Sequence, residues 1–196
     1  MTDHLAPPSF SRDDAEAAAR RFAATALADV SYAVVDSPVG TLVLAGTERG
    51  LVRVAYEDHN GGVDRVLEAL AERISPRILE APARLDVVRR ELDEYFAGAR
   101  TAFDLPLDWT LMSKFGRAVM QATARVGFGS TATYGEVAAQ AGNAKASRAA
   151  GRALGANPIP IVLPCHRIVG AGGKLTGYAG GLHRKQALLA LEGARV

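Results

Sequence analysis

Cysteine is nearly absent from this sequence, because Cys165 is the only one among 196 residues. A single cysteine excludes an internal disulfide framework and any zinc site built from several cysteines, and it is typical of a reducing compartment. The sequence also lacks an apolar run of about 20 residues, the length that a membrane-spanning helix needs. Residues 1–11 do not combine a basic start with an apolar block, as a secretion signal would. We therefore expect a soluble, cytoplasmic protein that does not associate with a membrane.

Acidic residues are scarce in the C-terminal half. Residues 112–196 carry 11 Lys and Arg but only two acids, Glu136 and Glu192, for a net charge of +9, whereas residues 1–111 carry 12 basic and 19 acidic residues, a net of −7. This asymmetry favours a polyanionic partner, such as a nucleic acid, for the C-terminal half. The alternative is that the two halves complement each other's charge across a shared interface.

The first two regions of the chain differ in pattern. Residues 1–29 form a polar N-terminal extension in which an Ala-rich stretch, opened by the capping-box spacing of Ser11 and Asp14, predicts a helix. Residues 30–108 are predicted to form a small α/β domain whose role is packing, with a three-stranded antiparallel meander and two helices. The predicted strands are residues 32–35, 42–45 and 51–56, and the predicted helices are residues 62–73 and 82–98.

The third region, residues 109–196, is predicted to be mainly helical, so the fold class is α+β. A helix is expected near residues 113–125, and Thr133 with Glu136 forms a capping box that begins a short helix to Ala141. A second short helix is expected from Lys145 to Leu154. Two short helices joined by a tight Gly-containing turn predict a helix-turn-helix in a winged-helix-like domain.

The second short helix carries a row of cations. Lys145, Arg148 and Arg152 are spaced by three and four residues, and the positions between them are mostly alanine. A slim cationic helix suits entry into a nucleic-acid groove. The alternative is an ordinary solvated helix face.

The lone cysteine stands beside two basic side chains, His166 and Arg167. A thiol with an ordinary pKa of about 8.5 is only a few per cent thiolate at pH 7, so a nucleophilic cysteine needs a base or a positive field. The apolar run of residues 159–163 predicts a buried strand, and Pro164 would break it and expose the thiol at its end. The alternative is an inert buried cysteine.

Longer stretches around this cysteine carry a specific resemblance. The sequence NPIPIVLPCHRIV at residues 157–169, GKLTGYAGG at 173–181 and LLALEG at 188–193 closely resembles the O6-alkylguanine-DNA alkyltransferases. The segments TYGEVA at 133–138 and SRAAG at 147–151 resemble the same family. The resemblance covers about residues 31–196 and is strongest from residue 131 onward.

This resemblance implies a suicide DNA-repair protein without a cofactor or a metal. Its partner would be double-stranded DNA that contains O6-alkylguanine, and O4-alkylthymine would be a further substrate. Such a protein would be a monomer in solution, would bind the minor groove, and could line up cooperatively in several copies on DNA. It rotates the damaged nucleotide out of the stack and keeps the alkyl group on its cysteine.

The resemblance also implies catalytic roles. Cys165 would be the acceptor, and His166 would deprotonate it through a water. Glu192 would orient and polarise His166, while Asn157 would hold the turn before the cysteine. Tyr134 would help to rotate the nucleotide and would protonate the departing guanine at N3.

Two further groups of residues are implied in the same way. Arg148 would fill the vacated place in the base stack, within a DNA-binding group that also contains Lys145, Arg152, Ser147 and Gly151. The base pocket would be formed by Tyr178, Ile168, Ala179 and Leu154.

Several positions depart from the family pattern. Gly116 and Met120 replace a common glutamine and tryptophan, and Ala179 stands where many relatives have serine. Two other classes of function therefore stay open at this point. One is a non-catalytic protein that binds alkyl lesions, although such relatives typically lack the cysteine. The other is a cysteine hydrolase that would use Cys165 and His166 and would turn over repeatedly.

Overall fold

A computed structural model describes residues 28–194, so the helix predicted between residues 11 and 28 lies outside the described residues. The described chain has the predicted α+β class. Its strands are β1 (Val30–Val35), β2 (Leu42–Thr47), β3 (Gly50–Tyr56), β4 (Ile78–Glu80), β5 (Ala132–Thr133) and β6 (Ile168–Val169). Its helices are α1 (Val63–Arg73), α2 (Asp86–Phe96), α3 (Lys114–Thr123), α4 (Tyr134–Gln140), α5 (Ser147–Gly155) and α6 (Leu182–Leu191). No helix in this part of the chain is long and apolar enough to cross a membrane.

The N-terminal part, residues 28–111, is built on a sheet with the strand order β3-β2-β1-β4. The antiparallel β1-β2-β3 meander is confirmed. The sheet has one strand more than expected, because β4 pairs in parallel with the other edge of β1. Strand β4 is three residues long and partly exposed, so neither length nor alternation marks it in the sequence.

Both faces of the central strand β2 are covered. Leu42 and Leu44 join a cluster with residues of α2, while Val43 and Ala45 join a second cluster with residues of α1. Successive side chains of a strand point to opposite faces, so a strand buried on both sides reads as a continuous apolar run. This explains why LVLA carries no polar residue.

The C-terminal part, residues 112–194, contains the expected pair of short helices, α4 and α5. The capping box is present, since the side chain of Thr133 accepts from the backbone N–H of Glu136 and the Glu136 side chain accepts from that of Thr133. Helix α5 begins at Ser147, two residues later than predicted. Lys145 lies in the preceding turn because its N–H donates to the side chain of Asn143.

The strand expected at residues 159–163 is wrong, because this segment is a buried turn. Ile161 adopts the left-handed backbone conformation, with φ of 74°, which no strand residue uses. Pro158, Pro160 and Pro164 supply no N–H to a strand ladder. The β-branched run is apolar because the turn is buried: Ile159 and Ile161 are fully inaccessible.

The two parts share one hydrophobic core. A single cluster of buried side chains joins residues such as Leu44 and Tyr95 with Val119 and Leu163. The backbone adds direct links, because the N–H of Val54 in β3 donates to the carbonyl of Pro158 at 2.9 Å. The N-terminal part therefore packs directly against the turn that leads to Cys165.

Substitution of Gly50, the first residue of β3, is expected to destabilise the protein. Its φ is 126°, and an added Cβ would lie 2.1 Å from the carbonyl oxygen of Pro106. We expect Gly50→Ala to lower the free energy of unfolding by about 2–4 kcal/mol. Gly127→Ala is the matched control, since nothing lies within 4 Å of its Cβ position, and it should change stability by less than about 0.5 kcal/mol. Urea denaturation measures both, and equal midpoints would contradict the prediction.

Candidate active site

A cleft of about 620 Å³ opens between α5 and the segment that precedes α6. It is the meeting point of most residues predicted for the site. Its lining comprises Tyr134, Ser147, Arg148, Gly151, Leu154, Gly155, Cys165, Gly170, Thr176, Gly177, Tyr178 and Ala179.

Asn157 holds the buried turn of residues 157–164 and contacts the thiol of Cys165. Its Nδ2 donates to the carbonyl of Leu163 at 2.8 Å and to Sγ of Cys165 at 3.1 Å. Its Oδ1 accepts from the N–H of Ile159 at 3.0 Å. Because one buried amide satisfies both ends of the turn, the position of Sγ depends on the same side chain that donates to it.

The thiol of Cys165 is protonated at rest. Burial raises its pKa to about 11, although the hydrogen bond from Asn157 and the charge of Lys185 act in the opposite direction. Cys165 lies in a 3₁₀ turn with His166 and Arg167, and it is 6% exposed. Nucleophilic attack therefore requires a base that removes the proton when a substrate is in place.

His166 provides a nitrogen suited to that task. The side chain is fully buried, and its Nε2 lies 2.9 Å from Oε1 of Glu192. Burial lowers the pKa of His166 and outweighs the stabilising effect of Glu192, so the ring is neutral. The carboxylate accepts a hydrogen bond, so Nε2 carries the ring proton and Nδ1 keeps a lone pair. Among the described residues, Nδ1 has no hydrogen-bond partner.

Glu192 is held by hydrogen bonds from four residues, which come from three separate places in the chain. Arg167 donates from Nε to Oε2 and from Nη2 to Oε1, each at 2.9 Å. The hydroxyl of Tyr95 donates to Oε1 at 2.7 Å, and the N–H of Gly129 donates to Oε2 at 3.3 Å. Burial acts to raise the pKa of Glu192, but the hydrogen bonds from His166, Arg167 and Tyr95 outweigh it and bring the pKa to about 2. The carboxylate is therefore charged at neutral pH.

Tyr95 is a residue of the N-terminal part that contacts the candidate site, in addition to the packing role predicted for that part. It belongs to α2 and is fully buried, yet its hydroxyl reaches a carboxylate 97 residues away in sequence. Nothing in the sequence near Tyr95 signals that contact. The role of Arg167 as a partner of Glu192 was also missed, although its position next to His166 is a local signal.

Two DNA-binding candidates and one pocket candidate lie outside the cleft. Lys145 and Arg152 are exposed but do not line the cleft, whereas Arg148 is exposed and lines it. Ile168 is buried behind the cleft, and its carbonyl accepts from Nζ of Lys185. Lys185 was not predicted, because lysine is almost never fully buried unless it is paired. Its Nζ also donates to the carbonyl of Thr176 at 3.1 Å.

Tyr134 lies at the start of α4, and its side chain contacts residues on both walls of the cleft. Its hydroxyl accepts from Oγ1 of Thr176 at 3.0 Å. A Cβ at Gly151 of α5 would lie 3.6 Å from the Tyr134 ring, so the helix passes close to it. Within residues 28–194, no group of three or more His, Cys, Asp or Glu side chains could hold a metal ion.

Family models match both parts of the chain. The model described as 6-O-methylguanine DNA methyltransferase, ribonuclease-like domain, matches residues 30–109. The model described as 6-O-methylguanine DNA methyltransferase, DNA binding domain, matches residues 114–194.

Curated relatives match over nearly their whole length. A methylated-DNA–protein-cysteine methyltransferase of Mycolicibacterium paratuberculosis is 44% identical over 163 residues, which cover 83% of this chain and 92% of the relative. The protein of the same name from Methanosarcina acetivorans is 40% identical over 163 residues, covering 83% and 98%.

Solved structures of proteins from the same family also match this chain. The Mycobacterium tuberculosis O6-methylguanine methyltransferase matches with a TM-score of 0.72 at 40% identity, covering 85% of this chain and 94% of that one. The complex of the M. tuberculosis protein with DNA matches with a TM-score of 0.71 at 39% identity, covering 83% and 92%.

The depressed pKa of Glu192 predicts a pH-dependent contribution to stability. A carboxylate with a folded pKa of about 2 and an unfolded pKa of about 4.5 stabilises the fold above pH 5, and this contribution is lost as the pH falls from 5 towards 2. We expect Glu192→Gln to lower the free energy of unfolding at pH 7 by about 3 kcal/mol, because Arg167 loses its buried partner. The difference between wild type and variant should shrink towards pH 3.

Urea denaturation at pH 7, 5, 4 and 3 measures this difference. Glu80→Gln is the control, since Glu80 is an exposed glutamate on β4. The control should stay within about 0.5 kcal/mol of wild type at pH 7. A Glu192→Gln deficit that is independent of pH would contradict the assignment of a charged carboxylate.

Proposed function

Since this chain belongs to the 6-O-methylguanine DNA methyltransferase family, we propose that it repairs DNA by moving the alkyl group of O6-alkylguanine irreversibly onto its own Cys165. The observation that carries the proposal is the lone thiol in a cleft beside the DNA-binding helices, with the His166–Glu192 pair behind it. O4-alkylthymine offers the same type of carbon–oxygen bond and is a second substrate under this proposal.

The reaction balances with the side chains at hand. The thiol proton of Cys165 passes through a water to Nδ1 of His166, and Glu192 stabilises the imidazolium that forms. Sulfur then attacks the alkyl carbon, so that a carbon–sulfur bond forms as the bond to O6 breaks. The electron pair of that bond remains on guanine, which takes a proton at N3 from the hydroxyl of Tyr134. The His166 imidazolium then releases its proton to water, and the Tyr134 phenolate takes a proton from water, so both side chains return to their neutral forms. Because the acceptor is a side chain that is not regenerated, each protein acts once and needs no cofactor.

Access to the alkyl group requires extrusion of the nucleotide from the duplex. Arg148 lies on α5, is exposed, and lines the cleft, so we assign it to the vacated position in the base stack. Insertion of a side chain offsets part of the cost of unstacking, which is a few kcal/mol. Ser147 and Gly151 are small residues that allow α5 to approach the DNA backbone closely. Lys145 and Arg152 contact DNA phosphates on either side of that approach.

The charge distribution supports DNA binding by the C-terminal part. Among residues 28–194, the ion pair between Arg184 and Asp58 is the one that joins the two parts of the molecule. The excess cations of the C-terminal part are thus not consumed by the acidic N-terminal part, and they are available to phosphates. We propose that the protein acts in the cytoplasm as a monomer in solution.

The base pocket is formed by the remaining cleft residues. Tyr178 supplies an aromatic wall, and Leu154 supplies an apolar surface on the opposite side, from α5. Ala179 offers a backbone N–H without a side-chain hydroxyl. Ile168 supports the pocket from behind through its carbonyl, which holds Lys185.

Incubation with a duplex that carries one O6-methylguanine tests the proposed function. We expect intact-protein mass spectrometry to show a gain of one methyl group per protein, and peptide analysis to place it on Cys165. Cys165→Ser should bind the duplex with affinity within about threefold of wild type, because the hydroxyl replaces the thiol without changing the basic surface. A protein that binds the lesion but stays unmodified would support the non-catalytic alternative, and repeated turnover would support a hydrolase.

Replacement of Arg148 separates base extrusion from chemistry. Arg148→Ala should slow transfer from duplex DNA at least tenfold, because the extruded state loses the side chain that fills the stack. Its reaction with free O6-benzylguanine should change less than about threefold, since no base needs to be extruded. Arg152→Ala is the control, because it removes the same charge from the same helix outside the cleft. Equal losses on both substrates in Arg148→Ala would contradict the assigned role.

A further inference from the structure

Tyr56 reaches the wall of the cleft from the N-terminal part. It ends β3, is 2% exposed, and places its hydroxyl 2.7 Å from the hydroxyl of Tyr178. The two rings meet edge to face, with centroids 6.2 Å apart. Burial raises the pKa of both phenols. Both hydroxyls are therefore protonated at neutral pH, and one donates to the other.

Arg184 of α6 reinforces the same contact. Its Nη2 lies 2.8 Å from both carboxylate oxygens of Asp58, and its Nε donates to the carbonyl of Val39 at 2.6 Å. Its Nη1 donates at 3.0 Å to the carbonyl of Gly180, two residues after Tyr178. The guanidinium carbon lies 4.5 Å from the centroid of the Tyr56 ring. Arg184 thus joins the N-terminal part to the backbone of the cleft wall.

The fit around these side chains is tight. A Cβ at Gly180 would lie 2.4 Å from the ring of Tyr56 and 2.9 Å from the ring of Tyr178. A Cβ at Gly40 would lie 2.9 Å from Nη2 of Arg184. The backbone at Gly180 therefore passes directly against both tyrosines.

The wall itself has little regular structure to hold it. Residues 170–181 contain one short 3₁₀ turn at Ala171–Gly173 and otherwise no helix or strand. Side chains from outside the segment hold it, since Lys185 donates to the carbonyl of Thr176 and Arg184 to that of Gly180. The position of the Tyr178 ring accordingly depends on what its hydroxyl contacts.

We propose that Tyr56, Arg184 and Asp58 form a clamp by which the N-terminal part positions Tyr178 and so sets the affinity of the pocket for the extruded base. The proposal rests on the function proposed above, which supplies the ligand. The three are positioning residues, because they act on the base through Tyr178 and Gly180. The clamp gives the N-terminal part a role in substrate recognition without any contact with DNA.

The test uses full-length protein and free O6-benzylguanine, which needs no extrusion. Tyr56→Phe removes the hydroxyl but keeps the buried ring. We expect the half-saturating concentration of O6-benzylguanine to rise about three- to tenfold, because the freed Tyr178 ring must be ordered on binding. The limiting rate of Cys165 modification should stay within about twofold, since His166 and Glu192 are unchanged. Tyr32→Phe on β1, outside the cleft lining, is the control and should leave both quantities unchanged.

A double-mutant cycle shows whether the two hydroxyls act through each other. Tyr178→Phe should raise the half-saturating concentration, and the Tyr56→Phe/Tyr178→Phe double variant should raise it no further than the larger single effect. Additive losses would mean that Tyr56 acts independently of Tyr178, and they would overturn the proposal.

Amide hydrogen exchange supplies a readout that does not depend on alkylation. Residues 174–181 should exchange faster in Tyr56→Phe and in Asp58→Asn, whereas Glu57→Gln, the neighbouring acid, should match wild type. Asp58 is 68% exposed, so its replacement leaves the core intact. The clamp would be overturned if Tyr56→Phe and Asp58→Asn both kept the wild-type half-saturating concentration of O6-benzylguanine and the wild-type exchange rate of residues 174–181. Faster exchange in a protein that is never alkylated would retain the clamp and reject the proposed function.

Discussion

The buried carboxylate of Glu192 is the interaction on which the rest of the structure depends. It lies at the C-terminal end of α6, a position where a helix dipole disfavours negative charge. The hydrogen bonds from His166, Arg167, Tyr95 and Gly129 compensate for that cost and for burial. Because these donors come from separate parts of the chain, a charged Glu192 requires the complete fold.

Under the proposed function, the same carboxylate explains how the buried thiol of Cys165 can become a nucleophile. Burial keeps Cys165 protonated, and under the proposed function this protects the thiol from other electrophiles before its single reaction. Glu192 fixes the tautomer of His166 so that the lone pair lies on Nδ1. The structure thus combines a protonated thiol with a neutral histidine. In the proposed reaction, the approach of a substrate starts the proton transfer.

The N-terminal part supports this centre from two directions. Tyr95 reaches the carboxylate behind the histidine, and Tyr56 reaches the aromatic wall of the cleft. Both tyrosines are buried in the core that the two parts share. A single Arg–Asp pair crosses between the acidic N-terminal part and the basic C-terminal part within residues 28–194, so most of the charge on each part is not paired with the other part.

The amino-acid sequence by itself determined the fold class, the β1-β2-β3 meander, the capping box of Thr133 and the placement of Cys165 beside His166 and Arg167. Each of these is encoded by residues close together in the chain, through alternation, cap spacing or a contiguous motif. The parallel strand β4, the buried turn of residues 157–164, the late start of α5 and the contacts of Tyr95, Tyr56 and Lys185 were decided by the tertiary structure. In the turn, an apolar run that reads as a strand is bent because Asn157 satisfies its backbone and the prolines cannot join a ladder. The long-range contacts depend on which buried groups meet after folding, and no local pattern records the partner of a tyrosine 97 residues away.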